Sequence, residues 1–310
     1  MTYLRERWAT PDGDFIEVDR TVDPDPAAAT RPLVVLFHGL EGDSASHYAR
    51  ALMAAARRRG WRGAVPHFRG CGGALNLAPR AYHSGDSDEI DWILRRFARE
   101  HAPGAPLLTV GVSLGGNALL KWLGERGESA RIVQAAAAVS APQDLEAGAQ
   151  ALARGFSQVY TRNFLRTLKA RSLRKLAQHP GLFDRERMLA ARSFHEFDDA
   201  VTAPMHGFRD CRDYWTRSSC RQHLAGIRVP TLILNALNDP FLPAGALAGR
   251  AQVSPEVALE YPEDGGHVGF IAGRFPGTMD WMCGRLLDFL EGRATAAEPE
   301  ANLTERTTDG

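Results

Sequence analysis

The octapeptide TVGVSLGG at residues 109–116 is the stretch of this chain that indicates its fold most strongly. It contains the pattern G-x-S-x-G with Ser113 at its centre. An apolar run, Leu107 to Val112, precedes the serine, and a run of helical character, Asn117 to Leu123, follows it. A strand, a sharp turn and a helix with a serine at the apex are typical of a nucleophile elbow. The pattern therefore predicts that Ser113 is a nucleophile, and the alternative is a small-residue turn with an incidental serine.

The two glycines of the pattern support the elbow. In a strained turn, side chains at Gly111 and Gly115 would collide with the neighbouring strand or helix, and only glycine avoids the collision without steric cost.

A serine hydroxyl needs a histidine to take its proton and an acid to orient that histidine. After an elbow of this kind, the expected chain order is serine, acid, histidine. Asp239 follows an apolar strand run at 231–236, which places its carboxylate at the edge where α/β sheets bind ligands. His267 lies in a glycine-flanked loop after a second strand run at 257–261. We predict a triad of Ser113, Asp239 and His267, although Asp239 alone fits a turn former or helix cap, and His267 alone fits an ordinary loop histidine.

Two backbone amides are predicted to form an oxyanion hole. One donor is the N–H after the nucleophile, which belongs to Leu114, and the other comes from the loop after the third strand. The run at 33–37 reads as that strand, and Leu40 in the following loop is the candidate. His38 in the same loop is interpreted as a structural histidine that braces it rather than as a catalytic base.

These motifs together resemble the AB hydrolase 4 family of YheT-type bacterial esterases. The matching stretches are LFHGLEG at 36–42, HFRGC at 67–71, YHSG at 82–85, GVSLGGN at 111–117, NDPF at 238–241, MHGF at 205–208 and DYW at 213–215. The resemblance extends over nearly the whole chain up to about residue 290.

The resemblance implies an α/β-hydrolase fold and a serine hydrolase with carboxylester activity that uses the triad named above. Members of this family often carry two adjacent acids where this chain has Asn238 and Asp239, which leaves Asp239 as the acid at this place. The eukaryotic relatives act on lipid esters, so a small-molecule or lipid-like ester is the substrate class that the resemblance indicates.

Composition narrows the classes of partner and cofactor. The chain has 310 residues, 44% of them hydrophobic, and its formal net charge is zero, which gives no support for a nucleic-acid partner. Its four cysteines have no C-x-x-C spacing, so neither a metal site nor a disulfide framework is predicted, and the triad needs no cofactor. No run approaches the ~20 apolar residues of a membrane span. The N-terminus lacks the apolar core of a signal peptide, and we therefore expect a cytoplasmic protein without an integral membrane segment.

Alternation of strand and helix patterns predicts a mostly parallel sheet covered by helices on both faces. A further strand is predicted at 132–140, after which the alternation stops. We divide the chain into a first core part at 1–142, a helical lid insertion at 143–226, a second core part at 227–292 and a disordered tail at 293–310. A passive helical insertion far from the site is the alternative to a lid.

The insertion carries many large apolar side chains, among them Phe156, Tyr160, Phe164, Phe208 and Trp215. Large exposed apolar patches are rare in soluble monomers, so we expect some of these residues to form an acyl-binding wall above Ser113.

The predicted function is hydrolysis of carboxylic esters through an acyl-serine intermediate. Two alternatives stay open at this point. The same triad also serves acyl transfer, in which an alcohol or thiol replaces water. A non-catalytic binding protein on a hydrolase fold is the other alternative.

Overall fold

The computed structural model describes residues 1–22, 25 and 29–294. The tail predicted at 293–310 falls almost wholly outside the described residues.

A single sheet organises the described chain. Its eight strands are β1 (Tyr3–Ala9), β2 (Phe15–Thr21), β3 (Leu33–Phe37), β4 (Arg62–Pro66), β5 (Leu107–Val112), β6 (Ala135–Val139), β7 (Thr231–Leu234) and β8 (Val257–Glu260). They lie in the order β1-β2-β4-β3-β5-β6-β7-β8. The pairs β1–β2 and β2–β4 are antiparallel, and all others are parallel, which confirms the predicted mostly parallel sheet.

The central strands β3, β5, β6 and β7 are buried along their whole length. This burial explains their unbroken apolar sequences, since a parallel sheet is covered on both faces. On one face pack α1 (His47–Arg58) and α10 (Asp280–Ala294), and on the other pack α2 (Ser87–Glu100) and α3 (Leu114–Arg126). Because parallel strands end at one edge, the segments that follow β3, β5, β7 and β8 meet there.

Between β6 and β7 the chain forms a helical insertion. Its helices are α4 (Leu145–Leu152), α5 (Gln158–Gln178), α6 (Arg185–Ala190), α7 (Phe194–Phe197), α8 (Ala203–Met205) and α9 (Cys211–Ser218), and a π-helical turn (Asp198–Thr202) joins α7 to α8. Short 3₁₀ segments lie at Gly127–Ala130, Gly155–Ser157, Arg221–Gly226, Ala244–Ala246 and Arg250–Gln252. The insertion has a small apolar cluster of its own around Leu165, Met188 and Phe197.

The predicted start of the sixth strand is wrong. The sequence predicts that the sixth strand begins at Ile132, but β6 begins at Ala135. The preceding residues are held in turns, because Arg131 N–H donates to Glu128 C=O and Val133 N–H donates to Ala130 C=O.

Candidate active site

Ser113 stands at the strained turn between β5 and α3. Its backbone has φ 52° and ψ −118°, a conformation that costs a non-glycine residue roughly 1–3 kcal/mol. A Cβ on Gly111 would lie 2.6 Å from the Gly115 carbonyl oxygen, and a Cβ on Gly115 would collide with the Phe37 carbonyl oxygen. The elbow therefore needs both glycines, and it lifts the Ser113 side chain out of the sheet edge.

The three residues predicted as a triad lie in hydrogen-bonding contact. His267 Nε2 is 3.0 Å from Ser113 Oγ, and His267 Nδ1 is 2.8 Å from Asp239 Oδ2. The Asp239 side chain is fully buried, whereas the His267 side chain is 16% exposed. A carboxylate only accepts hydrogen bonds, so the proton of the neutral imidazole sits on Nδ1 and Nε2 can accept the Ser113 hydroxyl.

The turn after β7 positions the acid. Asp239 N–H donates to Ala236 C=O over 3.3 Å. The second carboxylate oxygen of Asp239 accepts the Phe241 N–H over 2.8 Å. The Phe241 ring packs against the His267 imidazole with 4.2 Å between centroids. The same turn therefore orients the carboxylate and covers one side of the histidine.

Sequence reasoning missed Asn238 as a contact of the histidine loop. Its amide nitrogen donates to Asp264 Oδ1 over 2.8 Å, and its amide oxygen accepts the N–H groups of Gly265 and Gly266 over 3.1 and 2.8 Å. The partners lie 26–28 residues away in sequence, so no local pattern could have indicated the contact. Asp264 thus contacts the Asn238 amide, while Asp239 contacts His267.

Leu40 and Leu114, the predicted oxyanion-hole residues, line the same cavity as Ser113 and His267. The amides on either side of Leu40 are already occupied: Gly39 N–H donates to Tyr48 Oη over 2.8 Å, and Glu41 N–H donates to Tyr82 Oη over 2.9 Å. Leu114 is the first residue of α3, where backbone N–H groups lack partners within the helix. Leu40 and Leu114 therefore stay the candidate donors to a substrate oxygen.

His38 braces the loop that carries Leu40. Phe68 N–H donates to His38 Nε2 over 3.1 Å, so His38 Nδ1 carries the proton and donates to Gly39 C=O over 2.8 Å. Burial lowers the pKa of His38 to about 3, which keeps the ring neutral. These contacts match the structural role interpreted for His38.

The insertion reaches the same loop through an ion pair. Arg171 of α5 lies 3.4 Å from Glu41, whose other carboxylate oxygen accepts the Tyr82 hydroxyl over 2.8 Å. The predicted oxyanion loop is thus held by the core and by the insertion together.

The cavity beside Ser113 has a volume of about 360 Å³ and mostly apolar walls. Many of its large apolar side chains come from the insertion and from the segment after β7, namely Leu145, Leu152, Phe164, Phe194, Trp215, Phe241 and Leu242. The insertion therefore contributes part of the cavity wall beside Ser113, and its role as a lid stays a prediction.

Of the five aromatic residues singled out from the sequence, Phe164 and Trp215 line this cavity. Phe156 is 77% exposed, Tyr160 packs against Phe241, and Phe208 packs against Tyr214. Phe194 belongs to the wall but was missed, because its helix is only four residues long and carries no periodic signal.

Comparison with known proteins agrees with this fold. A family model described as the alpha/beta hydrolase fold matches residues 32–273. The chain is 42% identical over 289 residues to YheT of Escherichia coli (strain K12), a match that covers 92% of this chain and 84% of that protein. It is 32% identical over 291 residues to phospholipase ABHD3 of Mus musculus, covering 91% and 70%.

A solved structure of a Pyrococcus furiosus esterase superposes with a TM-score of 0.58 at 16% identity, covering 94% of this chain and 93% of that chain. At such a low sequence identity, the match is informative about the fold alone. The similarities confirm the fold class and the family resemblance predicted from the motifs. Among the described residues, no helix is both long and apolar enough to cross a bilayer.

Proposed function

This chain belongs to the α/β-hydrolase fold family and is a hydrolase, and on that premise we propose that it cleaves carboxylic esters through an acyl-serine intermediate. The observation that carries the proposal is the chain of contacts from Asp239 through His267 to Ser113, at 2.8 and 3.0 Å, at the foot of an apolar cavity.

The first half of the reaction forms the acyl-serine. Ser113 Oγ attacks the ester carbonyl carbon while His267 Nε2 takes the hydroxyl proton. Asp239 accepts the Nδ1 hydrogen bond and stabilises the positive charge that the imidazole gains. His267 then gives the proton to the leaving alcohol, which breaks the ester C–O bond and leaves the acyl group on Ser113.

The second half releases the acid. A water molecule gives its proton to His267 Nε2 and attacks the acyl carbon, and the proton returns to Ser113 Oγ as that bond breaks. In both halves the Leu40 and Leu114 N–H groups donate to the negatively charged oxygen. Each such donor typically contributes about 3 kcal/mol of transition-state stabilisation.

The cavity supports an ester with an apolar acyl group. Its walls are aromatic and aliphatic, which suits burial of a hydrocarbon chain. The relative named phospholipase ABHD3 is consistent with a lipid-like ester. We therefore extend the proposal to esters of medium or long acyl chains.

A panel of p-nitrophenyl esters of increasing acyl length tests this function. We expect the wild type to hydrolyse them and Ser113→Ala to lose that activity without loss of fold. A fluorophosphonate probe should label Ser113 in the wild type. The mechanism would be contradicted if Ser113→Ala kept its esterase activity. It would also be contradicted if the probe failed to label Ser113 in an active wild type.

A further inference from the structure

A second, smaller cavity of about 120 Å³ adjoins the apolar one. We call it the polar chamber. The two cavities share the wall residues Leu40, Ser84, Leu114, Phe194, Asp198 and Tyr214. The polar chamber also has many apolar lining residues, but it contacts Arg171, Lys175 and Thr202, which do not line the cavity beside Ser113. A substrate held at Ser113 therefore has an apolar space on one side and, next to it, a space whose wall includes cationic side chains and a hydroxyl group.

Asp198 lies in the shared wall and opens the π-helical turn of the insertion. Turns of this kind occur often at functional sites. Thr202 Oγ1 donates to Asp198 Oδ1 over 2.6 Å, and Trp215 Nε1 donates to Asp198 Oδ2 over 2.9 Å. Each carboxylate oxygen has two lone pairs, so each keeps one acceptor site free.

The neighbouring acid has a different environment. Asp199 pairs with Arg187 over 2.7 Å and accepts the Cys211 N–H over 3.1 Å. Asp198 forms no such ion pair with any described residue. Among the described residues no cation therefore takes its remaining acceptor sites, and the residue lines both cavities.

The charge of Asp198 opposes folding. Burial raises the pKa of this carboxyl to about 6. An acid whose pKa is raised in the folded state destabilises the fold as the pH rises through that value. An amide of the same shape could accept from Trp215 and donate to the Thr202 oxygen, so the fold does not require a carboxylate here.

Arg171 and Lys175 are two of the cationic side chains that line the polar chamber. Arg171 pairs with Glu41 over 3.4 Å, and Lys175 donates to the carbonyl oxygens of Asn76 and Ala78 over 2.7 and 3.0 Å. Both cations are thus engaged with protein oxygens, and the acceptor sites of Asp198 stay available to a neutral hydroxyl group.

We propose that Asp198 is a specificity-determining residue that accepts a hydrogen bond from a hydroxyl group on the ester substrate, with the hydroxylated end of the substrate in the polar chamber. The inference rests on the proposed function, because it takes the substrate to be bound at Ser113. It adds that the preferred ester carries a hydroxyl group in addition to its apolar chain.

Matched esters that differ only in a terminal hydroxyl or methyl group test this inference. The acyl arm compares p-nitrophenyl hydroxyoctanoate with p-nitrophenyl nonanoate, and the alcohol arm compares butanediol monooctanoate with pentyl octanoate. We expect the wild type to prefer the hydroxylated member of at least one pair. In Asp198→Asn that preference, measured as a ratio of kcat/KM values, should fall about tenfold, since a hydrogen bond to a charged acceptor becomes one to a neutral acceptor.

Asp199→Asn is the matched control on the same turn, and its ratio should equal that of the wild type. Asp198→Asn should be no less stable than the wild type at neutral pH, so a changed ratio would not reflect unfolding. An unchanged ratio in Asp198→Asn on both arms would overturn the inference, while turnover that depends on Ser113 would leave the proposed function intact.

A binding measurement tests the hydroxyl site independently of the proposed function. Octanediol and nonanol are titrated by calorimetry into Ser113→Ala and into the double variant Ser113→Ala/Asp198→Asn. We expect the diol to bind more tightly than nonanol only when Asp198 is present. Equal preference in the two proteins would reject the hydroxyl site, whatever the reaction at Ser113 is.

Discussion

The sheet edge and the helical insertion contribute to the same cavity in different ways. Backbone geometry holds the sheet-edge residues: Ser113 has a positive φ that two flanking glycines permit, and Asp239 is held by a turn at the end of β7. The insertion supplies Phe164, Phe194 and Trp215 from three separate helices, and the last two pack in a small apolar cluster of the insertion. We therefore expect the reaction chemistry to depend on the sheet edge and the substrate preference to depend on the insertion. Substitutions at the edge should slow all esters alike, and those in the wall should change their ranking.

His267→Ala should give the largest effect. Without the imidazole, no group takes the Ser113 proton, and kcat typically falls ~10⁴- to 10⁶-fold when such a residue is lost. The loss should be similar for acetate and octanoate esters, because it occurs at the sheet edge.

Two further variants of this chain test this prediction. Ser113→Ala combined with His267→Ala should be no worse than either change alone, since the residues act as one unit. His179→Ala alters a half-buried histidine that contacts the Leu77 carbonyl oxygen, and it should leave kcat unchanged. Stopped-flow or steady-state assays with both esters measure kcat. A loss confined to one acyl length would contradict a role of the sheet edge in the turnover of all esters.

Asp239→Asn should give the next largest effect. The amide keeps the shape of the side chain but favours the wrong imidazole tautomer, which lowers kcat by up to ~10⁴-fold in comparable triads. The matched control is Asp264→Asn, because Asp264 contacts Asn238 instead of His267. The measurement is kcat for p-nitrophenyl acetate and octanoate in both variants. Near-normal turnover in Asp239→Asn would reject Asp239 as the orienting acid and direct attention to Glu263 or Asp264.

Phe164→Ala tests the insertion. This residue lines the apolar cavity, so its loss should reduce kcat/KM for octanoate relative to acetate by about 10- to 100-fold, in the range of ~1–3 kcal/mol for apolar discrimination. Phe156→Ala is the control, since this aromatic lies on the same insertion but is 77% exposed. If Phe164→Ala slows both esters equally while the protein stays folded, the insertion is a structural cover and does not set the preference.

The two regions also differ in how far sequence predicts them. The strand β5 has the predicted bounds Leu107–Val112, because a wholly buried run next to a glycine-rich turn is a strong local signal. The meeting of Ser113, Asp239 and His267 follows from chain order and from the shared edge of parallel strands. The start of β6 was wrong by three residues, since turns at 128–133 override the apolar pattern.

The wall of the cavity was predicted only in part. The excess of aromatic residues indicates a covering function, but which ones face inward depends on how short helices pack against one another. Phe194 lies on a helix of four residues, and Asp198 follows it in a π-helical turn. Neither position has a periodic pattern that a sequence could display, so their place in the wall emerges only from the tertiary structure.

Asn238 is the exception at the sheet edge, because its contribution depends on long-range contacts that sequence reasoning missed. Its side chain makes three hydrogen bonds to residues 264–266, directly before His267. Each exposed hydrogen bond contributes only about 1 kcal/mol or less.

We therefore expect Asn238→Ala to lower kcat several-fold by loosening the loop, with little change in KM, because Asn238 does not line the cavity. Asn238→Asp should keep the two glycine contacts but place a second carboxylate against Asp264, so its kcat should fall between those of Ala and wild type. Leu237→Ala, an exposed neighbour, is the control. The measurements are kcat, KM and the rate of fluorophosphonate labelling of Ser113. A rise in KM with unchanged kcat would show that Asn238 acts on substrate binding and not on the position of His267.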